Sequence, residues 1–278
     1  MSDQSSPEPP AELAQLRTRI DELDRQLLDI LSQRLAVCHE VAHIKEERNL
    51  PIIQPQRVRD VVTRRRQEAI DLGMDPDFAE QVMRAVLAET HRIEVAGRRP
   101  DAAPTKSANP ETLRTAVDAA IDTVATRIDH VVVAVEDLDA ALNAFTTRFG
   151  FHRSPSLIAD GRPEPGIAVV SAGGVILVLV SPLAGPDVAA HIAAHGSGIH
   201  HVAIEVLNAD YARSALLGSS PDAGDASSSL TDVVVDDHGH EQFFTVRDPD
   251  SGVQLGFIAR TGHRVGVATA NVLQAFRH

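Results

Sequence analysis

The chain has 278 residues, a formal charge of −13 from 26 Lys and Arg against 39 Asp and Glu, and one cysteine. This length points to two domains that can each bury a core, the acidic balance argues against nucleic acid or an anionic membrane as partner, and one cysteine excludes a disulfide framework within the chain. There is neither an apolar run of spanning length nor a charged, apolar, small-residue leader, which predicts a cytoplasmic protein with no membrane partner.

Residues 1–10, rich in Ser, Pro and acids, read as a disordered lead-in. From Ala11 to Arg48 no Pro or Gly interrupts the chain. Apolar residues recur at Leu13, Leu16, Ile20, Leu23, Leu27, Leu28, Leu31, Leu35, Val41 and Ile44, in steps of three and four, so one helix longer than globular domains usually hold is predicted, and it needs partner helices. Arg17, Arg34 and Lys45 lie on or beside this stripe, and Arg57 follows just past a proline turn. Desolvating an unpaired cation is costly, so a row of them implies a pocket for a small dianion. The alternative is that their long stems cover the stripe while the charged heads reach water.

The stretches LRTRIDELDRQLLDILSQR and AHIKEERNLPIIQPQR, with their joint spacing, resemble the all-helical chorismate mutase family over residues 11–96. The resemblance implies a three-helix fold intertwined with a second copy, a homodimer, and a Claisen rearrangement of chorismate to prephenate that needs no cofactor. It also implies roles. Arg17 reaches into the partner's pocket to hold a carboxylate, Arg34 holds one in its own pocket, Lys45 meets a carboxylate and the ether oxygen, and Arg57 supports the second-helix side. Guanidinium forks suit carboxylates and a lysine supplies a compact charge. In a pericyclic step, restraint of the substrate and donors aimed at the ether oxygen are what a protein can add, so no nucleophile is needed and Cys38 reads as a small core or interface residue.

Three positions depart from the family pattern. Gln54 and Val58 stand where an Asp and a Glu usually flank the turn arginine, and the missing Glu is the one that accepts from the ring hydroxyl. An Arg-Val pair is similar to isochorismate pyruvate-lyases of the same fold, and 4-amino-4-deoxychorismate is another substrate that fits the change. Glu94 occupies a place where a Gln often donates to the ether oxygen, with Thr90 one turn earlier in a Ser-like place. A carboxyl donates only when protonated, so activity should fall as pH rises; if the third helix is shifted by a turn, Glu94 is instead a surface acid.

Residues 97–126 read as a linker, with Pro100, Pro104 and Pro110 followed by a short amphipathic helix over 111–126. Beyond it the period changes to short strands: IDHVVVAV, a helix from Leu138 to Phe149, GIAVVSA and GVILVLVSP; then, after a second helical piece, IHHVAIEV, a helix near 209–217, LTDVVVD, EQFFTV and VQLGFIA. This is βαβββ written twice over residues 127–278. The fold class predicted is therefore α plus α/β in two domains, a helical mutase-like fold and a paired βαβββ barrel similar to the vicinal-oxygen-chelate superfamily. Within it GIHHVAIEV, EQFFTV and GVQLGFIARTG resemble the metal-bearing domain of 4-hydroxyphenylpyruvate dioxygenase. The resemblance implies a divalent metal on His130 and His201 and a substrate-side Gln242, but the carboxylate position reads Gly256. Gln254 and Glu241 are the nearest substitutes and neither replaces it. His130 and His201 are thus either a weakened divalent site or barrel histidines bonded within the core. By strand alternation His200 points away from His201, and His238 and His240 fall in a polar turn.

Three function classes follow. The leading one is a chorismate mutase whose accessory barrel binds a downstream aromatic compound. The second is an isochorismate pyruvate-lyase or 4-amino-4-deoxychorismate mutase, and the third a non-catalytic metabolite-binding protein.

Overall fold

The computed structural model describes residues 11–48, 50, 54–96, 121, 124–154, 164–219, 230–235, 239–260, 267 and 269–277. The lead-in over 1–10, most of the linker over 97–126 with its short helix, and His238 lie outside the described residues.

The uninterrupted stripe forms a single helix, α1 (Ala11–Glu47). Helix α2 (Pro55–Asp71) starts with proline in its first turn, where the missing N–H would have no helical partner in any case. It stops at Gly73, whose φ of 70° is a left-handed conformation that ends helices. Helix α3 (Pro76–Ala96) is capped by Asp75, whose Oδ1 accepts from the amides of Asp77 at 2.8 Å and Phe78 at 3.0 Å. Helix α3 packs against both α1 and α2. Arg66 of α2 bridges to Asp77 and Glu80 of α3 at 2.6 and 2.7 Å. On α1, Leu16, Ile20, Leu23 and Leu27 are each more than half exposed, although the periodicity marks them as a face to be covered.

The second part is one eight-stranded sheet. Its elements are β1 (Ala125–Ala134), α4 (Leu138–Asn143) continued by a π-helical turn (Ala144–Arg148), β2 (His152–Arg153), β3 (Ile167–Ala172), β4 (Val175–Val180), α5 (Pro186–His195), β5 (Gly198–Val206), α6 (Ala209–Ser219), β6 (Val234–Val235), β7 (Glu241–Phe244), β8 (Leu255–Ala259), and α7 (Thr269–Gln274) ending in a 3-10 turn (Ala275–Arg277). Strand β1 begins at Ala125, so the last two residues of the helix expected over 111–126 are strand. The run LTDVVVD is reduced to a two-residue strand and a bridge from Leu230 to Thr245.

The strand order is β2-β3-β4-β1-β5-β8-β7-β6, so the two βαβββ halves meet where β1 and β5 pair antiparallel. Each half has one parallel pair, β1 with β4 and β5 with β8. Strands β2 and β6 end the order without pairing each other, so the expected barrel is open along one side. Successive residues Val169 and Val170 of β3 enter different apolar clusters, one under α5 and α7 and one under α4, which is why β3 and β4 read as continuous apolar runs. Gly166, with φ 82°, is required where the chain enters β3, because a Cβ there would meet the Ala184 amide nitrogen at 2.3 Å.

Candidate active site

Helix α1 presents Arg34, Cys38 and Lys45 in steps of four and seven, along one face. Helix α3 presents Thr90 and Glu94 in a step of four, facing them. The pairs meet: Arg34 Nη1 donates to Thr90 Oγ1 at 2.6 Å, and Lys45 Nζ donates to Glu94 Oε2 at 2.8 Å. Cys38 Sγ lies 3.7 Å from Arg34 Nη1 and 3.5 Å from Thr90 Oγ1. Thr90 also donates to the Val86 carbonyl at 2.9 Å, which fixes its rotamer. Thr90 and Glu94 are both buried, and the Lys45 side chain is only 15% exposed. Glu94 is therefore buried against α1 and is not a surface acid.

Between Thr90 and Glu94 sits a residue with no sequence signal of its own. His91 is buried, its ring donates to the Leu87 carbonyl, and its Nε2 has no partner among the described residues. Burial, reinforced by the nearby Lys45 charge, pushes its pKa down to about 4, so the imidazole is neutral.

The other expected contributors lie apart from this cluster. Val58, on the first turn of α2, is buried, while Gln54 and Arg57 beside it are exposed. Arg17 is exposed and has no polar partner among the described residues. At a helical rise of 1.5 Å per residue it stands roughly 25 Å along α1 from Arg34, beyond the reach of its own chain's cluster.

In the sheet, His130, His201 and Gln242 are all buried. The His130 and His201 rings meet edge to face with centroids 6.2 Å apart. Asp129 is the extra residue of a β-bulge between β1 and β5 and is turned into the interior. It receives Arg260 through two bonds of 2.9 and 2.7 Å and His130 Nδ1 at 2.7 Å. Burial alone would raise this carboxyl's pKa, but the His130 and Arg260 hydrogen bonds and charges outweigh it and hold the group well below the usual carboxylate range. Arg127 joins the same network, at 3.2 Å from Asp129 and 2.5 Å from Glu205.

A second bulge corrects the alternation expected at the His pair. Val132 faces His201 and Val133 faces Ile199, so His200 is the extra residue. Its Nδ1 lies 2.9 Å from that of His201 instead of pointing away from it. His200 also stacks on Phe276 at 3.7 Å between centroids.

The donor set does not fit the facial triad that the resemblance implies. His130 and His201 each have a buried Nε2 without a partner among the described residues, as would suit two imidazole ligands, but the third position is Gly256. A Cβ built there would meet the Phe244 ring at 3.1 and 3.2 Å and His201 Cδ2 at 3.4 Å, so a phenyl ring fills the space a carboxylate would need. Gln254, the substitute on that strand, is instead spent on the Thr245 and Ala275 carbonyls at 3.1 and 3.2 Å. Among the described residues no group of three or more His, Cys, Asp or Glu could hold a metal ion.

Comparison with known proteins agrees with this division. Residues 16–95 match the family described as chorismate mutase type II, and residues 129–219 match the Glyoxalase/Bleomycin resistance protein/Dioxygenase superfamily. The chain is 43% identical over 84 residues to the T-protein of Enterobacter agglomerans, covering 30% of this chain and 22% of that one. It is 34% identical over 83 residues to a 4-amino-4-deoxychorismate mutase of Streptomyces venezuelae, covering 30% of this chain and 81% of that one. The chain thus spans about a fifth of the length of the T-proteins it matches. A Streptomyces coelicolor methylmalonyl-CoA epimerase is similar at 21% identity and a TM-score of 0.36, covering 51% of this chain and 99% of that one. Among the described residues no helix is long and apolar enough to cross a membrane.

Proposed function

Because the chain belongs, through its helical part, to the chorismate mutase type II family, we propose that this part rearranges chorismate, or an analogue differing in its ring substituent, and that it does so as a homodimer. The observation that carries the reading is the pair of facing contacts Arg34–Thr90 and Lys45–Glu94, which sets two cations at fixed places on one buried face. Arg34 is free to turn one guanidinium edge to a carboxylate while Thr90 holds the other. Lys45, tethered by Glu94, brings an ammonium to the ether oxygen, where negative charge grows as the carbon–oxygen bond breaks. These groups are in place before substrate arrives, so little reorganisation accompanies the reaction.

The exposed apolar stripe of α1 supports the homodimer, since a second copy would bury it and would bring its own Arg17 to this cluster. Residues 11–96 and 127–278 are taken as the two folding units, with 127–278 an accessory domain. A second reading, a mutase for 4-amino-4-deoxychorismate, is favoured by Val58, which offers no acceptor to a ring hydroxyl.

A product assay with chorismate, isochorismate and 4-amino-4-deoxychorismate side by side tests the proposal. Prephenate supports the first reading and aminoprephenate the second. Salicylate with pyruvate would replace both by a lyase.

A further inference from the structure

The buried face holds an acceptor, His91 Nε2, that neither the described residues nor the proposed use of Arg34 and Lys45 accounts for. His91 donates through Nδ1 to the Leu87 carbonyl, which leaves the lone pair on Nε2. That atom is inaccessible to solvent and has no hydrogen-bond partner among the described residues. Leaving a buried acceptor unsatisfied is costly, so a conformation that does so is one prepared for a donor. His91 precedes Glu94 by three residues, which puts the two on neighbouring positions of the helix surface, and it lies near enough to Lys45 to feel its charge.

Two other acceptors of the cluster, Thr90 Oγ1 and Glu94 Oε2, are engaged. Thr90 Oγ1 receives Arg34 and Glu94 receives Lys45. Val58, the buried residue that α2 contributes, cannot accept at all.

The substrate class supplies the missing donor by elimination. A chorismate-type molecule carries two carboxylates and an ether oxygen, all acceptors, and a single donor group on its ring, a hydroxyl or an amine. We infer that His91 Nε2 accepts a hydrogen bond from this ring substituent and so sets which substrate the pocket takes, in place of the acceptor that Val58 lacks. The inference rests on the mutase reading. It names the residue that recognises the ring and the kind of group it recognises.

The test compares kcat/KM for chorismate, 4-amino-4-deoxychorismate and a 4-deoxy analogue with no ring donor, in the native protein and in the His91→Leu and His91→Gln variants. The readout is the preference for a donor-bearing substrate over the deoxy analogue. His91→Leu is expected to reduce that preference about tenfold, the scale of one buried hydrogen bond, and His91→Gln, which retains an acceptor, to preserve most of it. The arm that loses more, hydroxyl or amine, identifies the natural substituent. An equal loss for all three substrates would show that His91 acts only through Lys45 or through packing, and would overturn the inference while leaving the mutase reading intact. Turnover of none of the three by the native protein would overturn the mutase reading and this inference with it.

Discussion

The Lys45 ammonium lies 2.8 Å from the Glu94 carboxylate across the α1–α3 interface, with both side chains largely buried. The carboxylate holds the ammonium in place, but an ionised Glu94 next to the ether oxygen would oppose the charge that develops there. Replacing it with Gln keeps the length, removes the charge and supplies an N–H donor. Glu94→Gln should therefore keep or raise kcat for the rearrangement relative to the native protein, measured in one neutral buffer. Lys45→Met should cost about a hundredfold or more in kcat, the scale of a deleted transition-state donor. A kcat for Glu94→Gln well below the native value would mean that the carboxylate serves the reaction through its hold on Lys45 and does not oppose it.

Arg17 and Arg34 lie on one helix but roughly 25 Å apart, so they can serve one pocket only if they come from different copies. Arg17→Ala and Arg34→Ala should each abolish activity alone. Mixed and reassociated, the two inactive proteins should regain up to about a quarter of native activity, because one of the two shared pockets in each mixed dimer has both arginines. Activity that stays absent in a mixture shown to contain mixed dimers would mean self-contained sites.

The helical site was legible because its chemistry is carried by spacing on rigid elements. Steps along α1 and α3 convert directly into faces, so the residues singled out by spacing come to face one another, but their pairing as Arg34–Thr90 and Lys45–Glu94 is visible only in the structure. The sheet was legible in element order but not in its interior. The bulges at Asp129 and His200 break the two-residue period on which a strand is read, and nothing in the local sequence marks them. The Asp129–Arg260 pairing joins residues 131 positions apart, and Phe244 fills the space beside Gly256 from a neighbouring strand. His91 escaped notice for a different reason: a lone helical histidine carries no pattern, and only its burial and its orphan nitrogen single it out.

Asp129 anchors the interior of the sheet. It is the carboxylate for a buried arginine and a buried histidine together, so its removal strands both. Asp129→Ala should destabilise the sheet domain by about 3–5 kcal/mol, the range for breaking a buried ion pair on one side, measured by chemical denaturation. Asp129→Ala with Arg260→Met removes both charges and should recover part of the loss. A double variant as unstable as the sum of the two single ones would mean that the residues do not act as a pair.

Phe244 and Gly256 together oppose a metal at His130 and His201. Protein purified without a histidine tag should contain no stoichiometric iron or zinc. A Gly256→Glu change alone should destabilise the fold by crowding the Phe244 ring, whereas Gly256→Glu with Phe244→Ala opens the space and supplies the third ligand. The double variant should gain thermal stability on adding a divalent metal, and the native protein should not. Stoichiometric metal in the native protein would show that two imidazoles suffice with a ligand from elsewhere.

His200 makes stability depend on pH with a definite sign. Burial, aided by the neighbouring His191 and Arg247 charges, lowers its folded pKa to about 3 from 6.5. Between those values the unfolded chain binds a proton that the folded chain does not, so unfolding is favoured increasingly as pH falls. The contribution is complete at and above about pH 6.5 and declines through the window down to about 3, for a total on the order of 5 kcal/mol. His200→Phe keeps an aromatic ring to stack on Phe276 and removes the titration. Compared with the native protein, the variant's unfolding free energy should fall less steeply between pH 6.5 and 4, the two curves converging or crossing as pH drops. Parallel curves across that range would mean that His200 binds its proton equally well in the folded and unfolded states.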